Sequence, residues 1–380
     1  MRTNQGKPTL DMRHQGDPTL AAALGEALAL QSRAEDRVTH GFHTYPAGLH
    51  PDAAGRILDL IGGASVFDPF VGGGTVLVEA LLRGRTASGA DVSPTALRVA
   101  RARTMLSDDA LRTSMRTHAR RIAAVGRERK TAPPPWLLDE VGEWYAPWVL
   151  EELASIWAEV RHLEGPVRSL LEACFSSLLV KVSWRASDTS QRRVEHRRPP
   201  GTTSVLFHKK ARELGRRLEA LQAQVPKGTP PVRLHAADAR EPWPASDVDA
   251  VVTSPPYPGV YDYVPLQALR LAWFDERGLG HEMGSRRQFR HQGPERAGER
   301  WADEQRVWME QAARVIRPGG HLVIVIGDGL VRDTVIDALE PVMRSTHDSL
   351  FHVSAISSLA RPDHARGVIR WEHIICAKRS

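Results

Sequence analysis

Two stretches of the chain hold residue types that could do chemistry together. The first is TSPPYPGVYDY (253–263), directly after an apolar run, VDAVV (248–252). Proline removes a ladder donor and fixes φ, so a central strand stops here. What leaves the strand is a stiff corner bearing the Ser254 hydroxyl, Pro255, Pro256, Tyr257, Tyr261 and Tyr263. A hydroxyl and a rigidly held carbonyl can accept hydrogen bonds from an amine, and a tyrosine ring can stack. A plain Pro-Pro turn capping a strand is the bland alternative.

The second stretch is FDPFVGGGTVLVEALL (67–82), with Gly72, Gly73 and Gly74 between an apolar segment and a helical pattern. Glycines let a backbone turn sharply and approach a ligand, and a helix start offers unpaired N–H groups. No Lys follows the glycines, which argues against a P-loop. Asp91 lies at about the spacing where an acidic residue meets ribose hydroxyls in a dinucleotide fold. Asp68, just ahead of the glycines, would repel a pyrophosphate but suits a ligand carrying an ammonium. These residues together describe an adenosine-type ligand bearing an amino acid: S-adenosylmethionine rather than NAD. A structural role for Asp68, as a carboxylate near a helix N-terminus, is the competing reading.

Elements must place the two stretches side by side. SVFDPF reads as a buried strand, VLVEALLRG as a helix closed by Gly84, TASGAD (86–91) as a strand and TALRVARARTML (95–106) as a helix. That β-α-β-α start predicts an α/β, doubly wound, mostly parallel sheet. The first 40 residues read as a peripheral arm with one helix in the Ala/Leu run Leu20–Leu30. Residues 107–231 break the alternation and read as a mostly helical insertion. Strands resume with VRLHAAD (232–238) and VDAVVTS (248–254). A helix over 302–316, the turn RPGG (317–320) and the strand HLVIVIGDG (321–329) follow. Two more strand candidates are SLFHVSAISS (349–358) and GVIRWEHIICAKR (367–379).

Composition sets outer bounds. The 380 residues, 42% hydrophobic and 25% charged, suffice for one large domain with an insertion or for two domains. Two cysteines, Cys174 and Cys376, cannot build a disulfide framework or a Cys-rich zinc site, so a cytoplasmic setting is the default. No stretch approaches the length of a membrane span. The net charge of +6 fits polyanion affinity and equally fits an Arg- and Ala-rich chain from a GC-rich genome. The 16 histidines show no H-x-x-x-H or carboxylate cluster, so no metal is expected.

DPFVGGGT (68–75), GADVSP (89–94) and TSPPY (253–257), in that order, resemble the amino-group DNA methyltransferases. These are Rossmann-like enzymes that methylate the exocyclic amine of cytosine or adenine. The first motif resembles their cofactor motif, and SPPY their catalytic motif, in the form commoner among N4-cytosine enzymes. FHTYPAGLHP (42–51) is similar to a segment that precedes the cofactor motif in many of them. The resemblance covers roughly 41–106 and 232–330.

It implies S-adenosylmethionine as cofactor, with Asp68, Phe70, Gly72, Gly74 and Thr75 around its methionine half. Asp91, with Val92 beside it, would hold the ribose, Asp238 the adenine amine, and Thr44 and Tyr45 would close over the methionine end. Ser254, Pro255, Pro256 and Tyr257 would form the catalytic corner: Ser254 Oγ and the Pro255 carbonyl accept from the target amine, and Tyr257 stacks on an extruded base. The implied partner is double-stranded DNA with a flipped base, cytosine N4 ahead of adenine N6; the sequence does not specify a restriction-system partner. An RNA base as substrate, and an inactive nucleic-acid binder, are the alternatives.

Gly73 departs from the family pattern, and so does the 107–231 insertion, which becomes the candidate target-recognition region. Within it, 181–210 carries Arg192, Arg193, Arg197, Arg198, Lys209 and Lys210 with Ser and Thr interleaved. Such groups contact phosphates; a solvated charge run is the plain alternative. GSRRQFRHQ (284–292) is a second basic stretch that could hold a strand near the corner.

Overall fold

The computed structural model describes residues 11–30, 37–46, 48–276, 282–332, 334–363 and 367–380. Its strands are β1 (Met12–Gly16), β2 (Ser65–Asp68), β3 (Thr86–Asp91), β4 (Arg185–Ser187), β5 (Ser190–Arg193), β6 (Arg233–Ala236), β7 (Val248–Thr253), β8 (Ile316–Gly327), β9 (Gly329–Val331), β10 (Thr334–Ile336), β11 (Phe351–Asp363) and β12 (Val368–Arg379). Before the insertion come α1 (Pro18–Leu28), α2 (Pro51–Ile61), α3 (Thr75–Leu82) and α4 (Pro94–Thr104). The insertion supplies α5 (Asp109–Glu128), α6 (Pro135–Val141), α7 (Pro147–Val160), α8 (Gly165–Leu179) and α9 (Thr202–Gln224). After it come α10 (Tyr263–Trp273), α11 (Arg286–Gln292), α12 (Pro294–Val315) and α13 (Leu339–Asp348).

Eight strands form one sheet in the order β1-β11-β12-β8-β7-β2-β3-β6. The pairs β2/β3, β3/β6, β2/β7 and β7/β8 are parallel. Antiparallel β12 is wedged between β8 and β11. The parallel part of the sheet starts at β2, steps outward through β3 to β6, then returns to the other side of β2 as β7. The order therefore reverses between β2 and β7, and the crevice beyond their C-terminal ends is where open α/β sheets bind ligands. At the opposite, N-terminal ends of these two strands Asp249 ties β7 to β2, since its Oδ2 accepts from Ala64 N at 2.7 Å and Ser65 N at 2.8 Å.

Helices cover both faces, which explains why β2 and β7 read as near-continuous apolar runs. One face is sealed by α1, α2 and α3 through Leu24, Ile57 and Leu77, the other by α12 through Trp301 and Trp308. The insertion helices form a third core around Phe175 and Phe207, which takes in Leu269 and Trp273 of α10. That shared core ties the insertion to the segment following the catalytic corner.

Two sequence expectations need correction. Residues 12–28 are not a peripheral arm: β1 pairs with β11 and α1 buries Ala21, Leu24 and Leu28 against the sheet. RPGG (317–320) does not precede β8 but lies within it, as a register shift against β7 with Gly319 at φ 77°. The mostly helical insertion also carries one short hairpin, β4 and β5, over 185–193.

Candidate active site

Asp68 ends β2 at the crevice, and its side chain is almost wholly buried. Its Oδ1 accepts from Thr253 Oγ1 at 2.6 Å and from Phe70 N at 3.0 Å. The first bond joins the tips of β2 and β7, so the glycine turn and the SPPY corner are pinned to each other. Burial pushes the carboxyl up to about 7, partly offset by these two donors. Oδ2 takes no part in either bond.

Asp91 ends β3 and reaches the same pocket. Its Oδ2 accepts from Gly72 N at 2.9 Å and its Oδ1 from Ser93 N at 2.8 Å. Burial raises this carboxyl to about 6 against those two backbone donors. Gly72 sits at φ 48°, left-handed backbone that favours glycine, and a Cβ there would press on the Tyr45 ring at 3.3 Å. Asp238 follows β6 and lines the pocket, but Arg240 grips both its oxygens, Nη2 at 2.6 Å and Nε at 2.9 Å. With four carboxylates on its wall (Asp68, Asp91, Asp238 and Glu282) and its lining arginine paired to one of them, the pocket favours a cationic guest over a polyphosphate.

Ser254 and Pro256 face this pocket from the corner, and Tyr45, Phe70, Thr75 and Val92 complete the predicted set that lines it. Four predicted residues do not line it. Thr44 turns to a different cavity, behind Tyr45. Gly74 instead starts α3 at φ 78°, where a Cβ would lie 3.1 Å from the Ala100 backbone of α4, so its job is helix packing. Pro255 is buried beside the pocket rather than in its wall.

Tyr257 is the largest departure. Its ring lies against Gly327 at the end of β8, where a Cβ would come within 2.6 Å, and its hydroxyl donates to Glu372 Oε1 at 3.1 Å. Glu372 is in turn held by Arg361 at 2.8 Å. The Ser254 hydroxyl is near enough to the tyrosine oxygen to offset part of what burial and Glu372 do to it.

Sequence reasoning missed several pocket residues. Tyr263 and Gln267 reach it from α10, and the Tyr263 ring stacks on Tyr45 with centroids 6.5 Å apart. Tyr263 was visible in the quoted motif but carried no assigned role. Arg103 was invisible, because an arginine in an Arg-rich helix reads as surface. It is buried, donating from Nε to Phe42 O at 2.8 Å, from Nη2 to His43 O at 2.6 Å and from Nη1 to Gly73 O at 2.9 Å. The guanidinium bolts the segment bearing Tyr45 to the glycine turn, and burial lowers its pKa to about 10.

The basic run divides. Arg192, Arg193, Arg197 and Lys209 are exposed, with Arg193 over the Trp184 ring and paired to Glu195. Lys210 instead pairs with Glu213 at 2.9 Å and lies 5.3 Å from the Phe42 ring centre, while Arg198 donates to Lys181 O at 2.6 Å. The 284–292 stretch becomes α11, whose first residues bond the catalytic loop: Arg286 N donates to Tyr261 O at 3.1 Å and Arg287 N to Asp262 Oδ1 at 2.8 Å. Among the described residues no group of three or more His, Cys, Asp or Glu is placed to hold a metal. Nor is any described helix long and apolar enough to cross a membrane.

No protein-family model matches the chain. A curated relative, the type II methyltransferase M.MvaI of Kocuria varians, is 35% identical over 72 residues, which is 18% of this chain and 16% of that protein. Similar solved structures include TrmN from Thermus thermophilus, with 13% identity, a TM-score of 0.39, and coverage of 92% of this chain and 55% of that one. A SAM-dependent methyltransferase from Methanosarcina mazei has 10% identity and a TM-score of 0.34, with 85% and 96% covered. Geranyl diphosphate C-methyltransferase from Streptomyces coelicolor has 10% identity and a TM-score of 0.37, with 95% and 97% covered. The chain thus spans about half the length of TrmN and matches only a short part of M.MvaI. The sheet is mostly parallel and Rossmann-like, with one antiparallel strand inserted beside β8, and the pocket lies at its switch point, where open α/β sheets bind ligands.

Proposed function

We propose that the chain transfers a methyl group from S-adenosylmethionine to the exocyclic amine of a base in DNA, cytosine N4 ahead of adenine N6. One observation carries the reading: Ser254 faces the same pocket as Asp68 and Asp91, with the two strand tips locked by the Thr253–Asp68 bond. The local match to a type II methyltransferase supports DNA over RNA. The buried Asp68 carboxylate fits an ammonium, and Asp91 at the end of β3 fits ribose hydroxyls. When bound, S-adenosylmethionine supplies an electrophilic methyl.

An exocyclic amine is a poor nucleophile, because its lone pair is delocalised into the ring. Acceptors for its two protons favour a pyramidal nitrogen and aim the lone pair. Ser254 Oγ, on the pocket wall, is one acceptor, and the carbonyl of Pro255, whose ring is buried beside that wall, is the second, held rigid by its ring and by Trp301 Nε1 donating to the neighbouring Pro256 O at 3.0 Å. As the N–C bond forms and the donor's S–C bond breaks, the nitrogen sheds one proton to solvent. Tyr45 and Tyr263 are aromatic walls for the pocket. Incubation with labelled S-adenosylmethionine and duplex DNA or RNA, followed by digestion to nucleosides, tests the reading. N4-methylcytosine is expected; label confined to RNA, or to a carbon of the base, refutes it.

A further inference from the structure

Behind Tyr45 lies a second cavity that the catalytic scheme does not use. Gly41, His43 and Thr44 form one wall, the end of α8 and the β4–β5 hairpin a second, and His196, Arg198 and Lys210 a third. Residues 43–46 are a partition between two cavities: His43 and Thr44 face this one, Tyr45 and Pro46 the cofactor pocket. The two are therefore separated by the thickness of a single chain segment.

The cavity is positively charged. Lys181, Arg185, Arg198 and Lys210 line it against one lining carboxylate, Asp188, which is itself ion-paired to Arg270. Lys210 has Glu213, but among the described residues no carboxylate lies within ion-pair distance of Lys181, Arg185 or Arg198. Arg185 is buried and spends its guanidinium on three carbonyls, those of Ser190, Leu266 and Pro265, which hold it in place without neutralising it. One buried donor on the lining residues, Arg198 Nε, has no partner. An unmatched buried donor costs about 1–3 kcal/mol, and an anionic oxygen would relieve it.

We infer that this cavity seats a backbone phosphate of the strand whose target base enters the catalytic pocket, with Lys181 and Arg198 as its principal ligands and the Thr44 hydroxyl beside them. The inference rests on the nucleic-acid reading above. It narrows the basic run: Arg192, Arg193, Arg197 and Lys209 stay outside the cavity, whereas Lys181 and Arg185, not singled out by the run itself, belong to it. A phosphate fixed on one side of the 43–46 partition gives an extruded nucleotide an anchor while its base sits on the other.

The test is binding of a fluorescent duplex DNA by the full chain across a salt series, with cofactor affinity measured in parallel. Lys181→Gln combined with Arg198→Gln should lower the log–log salt slope by about 0.9, the loss of one phosphate contact rather than two. Cofactor affinity should stay unchanged. Arg192→Gln should leave the slope alone. Lys181→Gln by itself, an exposed side chain, should flatten the slope in the same direction, which guards against misfolding of the Arg198 variant. An unchanged slope in a protein that still binds DNA overturns the phosphate seat alone, as does an equal effect from Arg192→Gln. Wild-type protein that binds cofactor but neither DNA nor RNA overturns the proposed function, and the seat with it.

Discussion

Asp68 offers the sharpest test of the cofactor site. Its carboxyl is raised to about 7 because burial disfavours the charged form more than Thr253 and Phe70 stabilise it. An ammonium guest binds the ionised form, so apparent affinity scales with the ionised fraction. That fraction falls from about nine-tenths near pH 8 to about one-tenth near pH 6, so Kd should weaken about tenfold, or ~1.4 kcal/mol. Isothermal calorimetry with S-adenosylmethionine across this range reads it directly. Asp68→Asn should bind weakly at every pH and lose the slope. Both existing hydrogen bonds end on Oδ1, so an Asn oxygen can keep them, and the variant tests charge rather than architecture.

The sign for stability is opposite. A carboxyl raised on folding contributes stability that is present below its unfolded value and lost as pH rises through the folded one. The ligand-free Asn variant should therefore be more stable than wild type near pH 8, by on the order of 1–4 kcal/mol, and match wild type near pH 4. A pH-independent wild-type Kd, or a tight-binding Asp68→Asn, would refute the placement of the ammonium.

Other outcomes follow from the same geometry. Ser254→Ala should cut single-turnover methylation by at least tenfold with cofactor affinity intact, since its contact matters most as the nitrogen pyramidalises; a wild-type rate would reduce SPPY to a turn. Tyr257→Phe keeps the ring but removes its bond to Glu372 beside Ser254, so turnover should fall about 3–10-fold, in line with ~1 kcal/mol for one hydrogen bond; unchanged turnover would mean the Glu372 link plays no part. Arg103→Met frees three buried carbonyls and unpins Tyr45, so cofactor dissociation measured by stopped flow should speed up more than tenfold, with Arg103→Lys intermediate; equal off-rates would show that the guanidinium only packs.

Much of the site was legible before any fold was known, for a local reason. A strand followed by glycines, or by Pro-Pro, has to end, and the residues at its end have to sit on the sheet's C-terminal rim. Asp68, Asp91 and Ser254 were placed by that logic, and so was the parallel order, since each βα unit must cross over. The roles of side chains that lean on other segments were not legible. Tyr257 reads as a free stacking ring until Gly327 and Glu372, far along the chain on β8 and β12, are brought against it. Asp238 reads as an acceptor until Arg240 turns back onto it.

The division follows the range of the forces. Backbone donors, φ preferences and apolar periodicity act over a few residues, so the chain alone determined the parallel core strands β2, β3, β6, β7 and β8 and the carboxylates Asp68 and Asp91 at the ends of two of them. Which cations are buried, and against what, depends on contacts across long stretches of sequence. Arg103 and Arg185 look like ordinary surface charges among 51 lysines and arginines. Only the packing of 39–45 onto α4, and of the hairpin onto α10, takes them out of water and points each guanidinium at main-chain carbonyls. That packing also turned Thr44 away from Tyr45, so that adjacent residues serve different cavities.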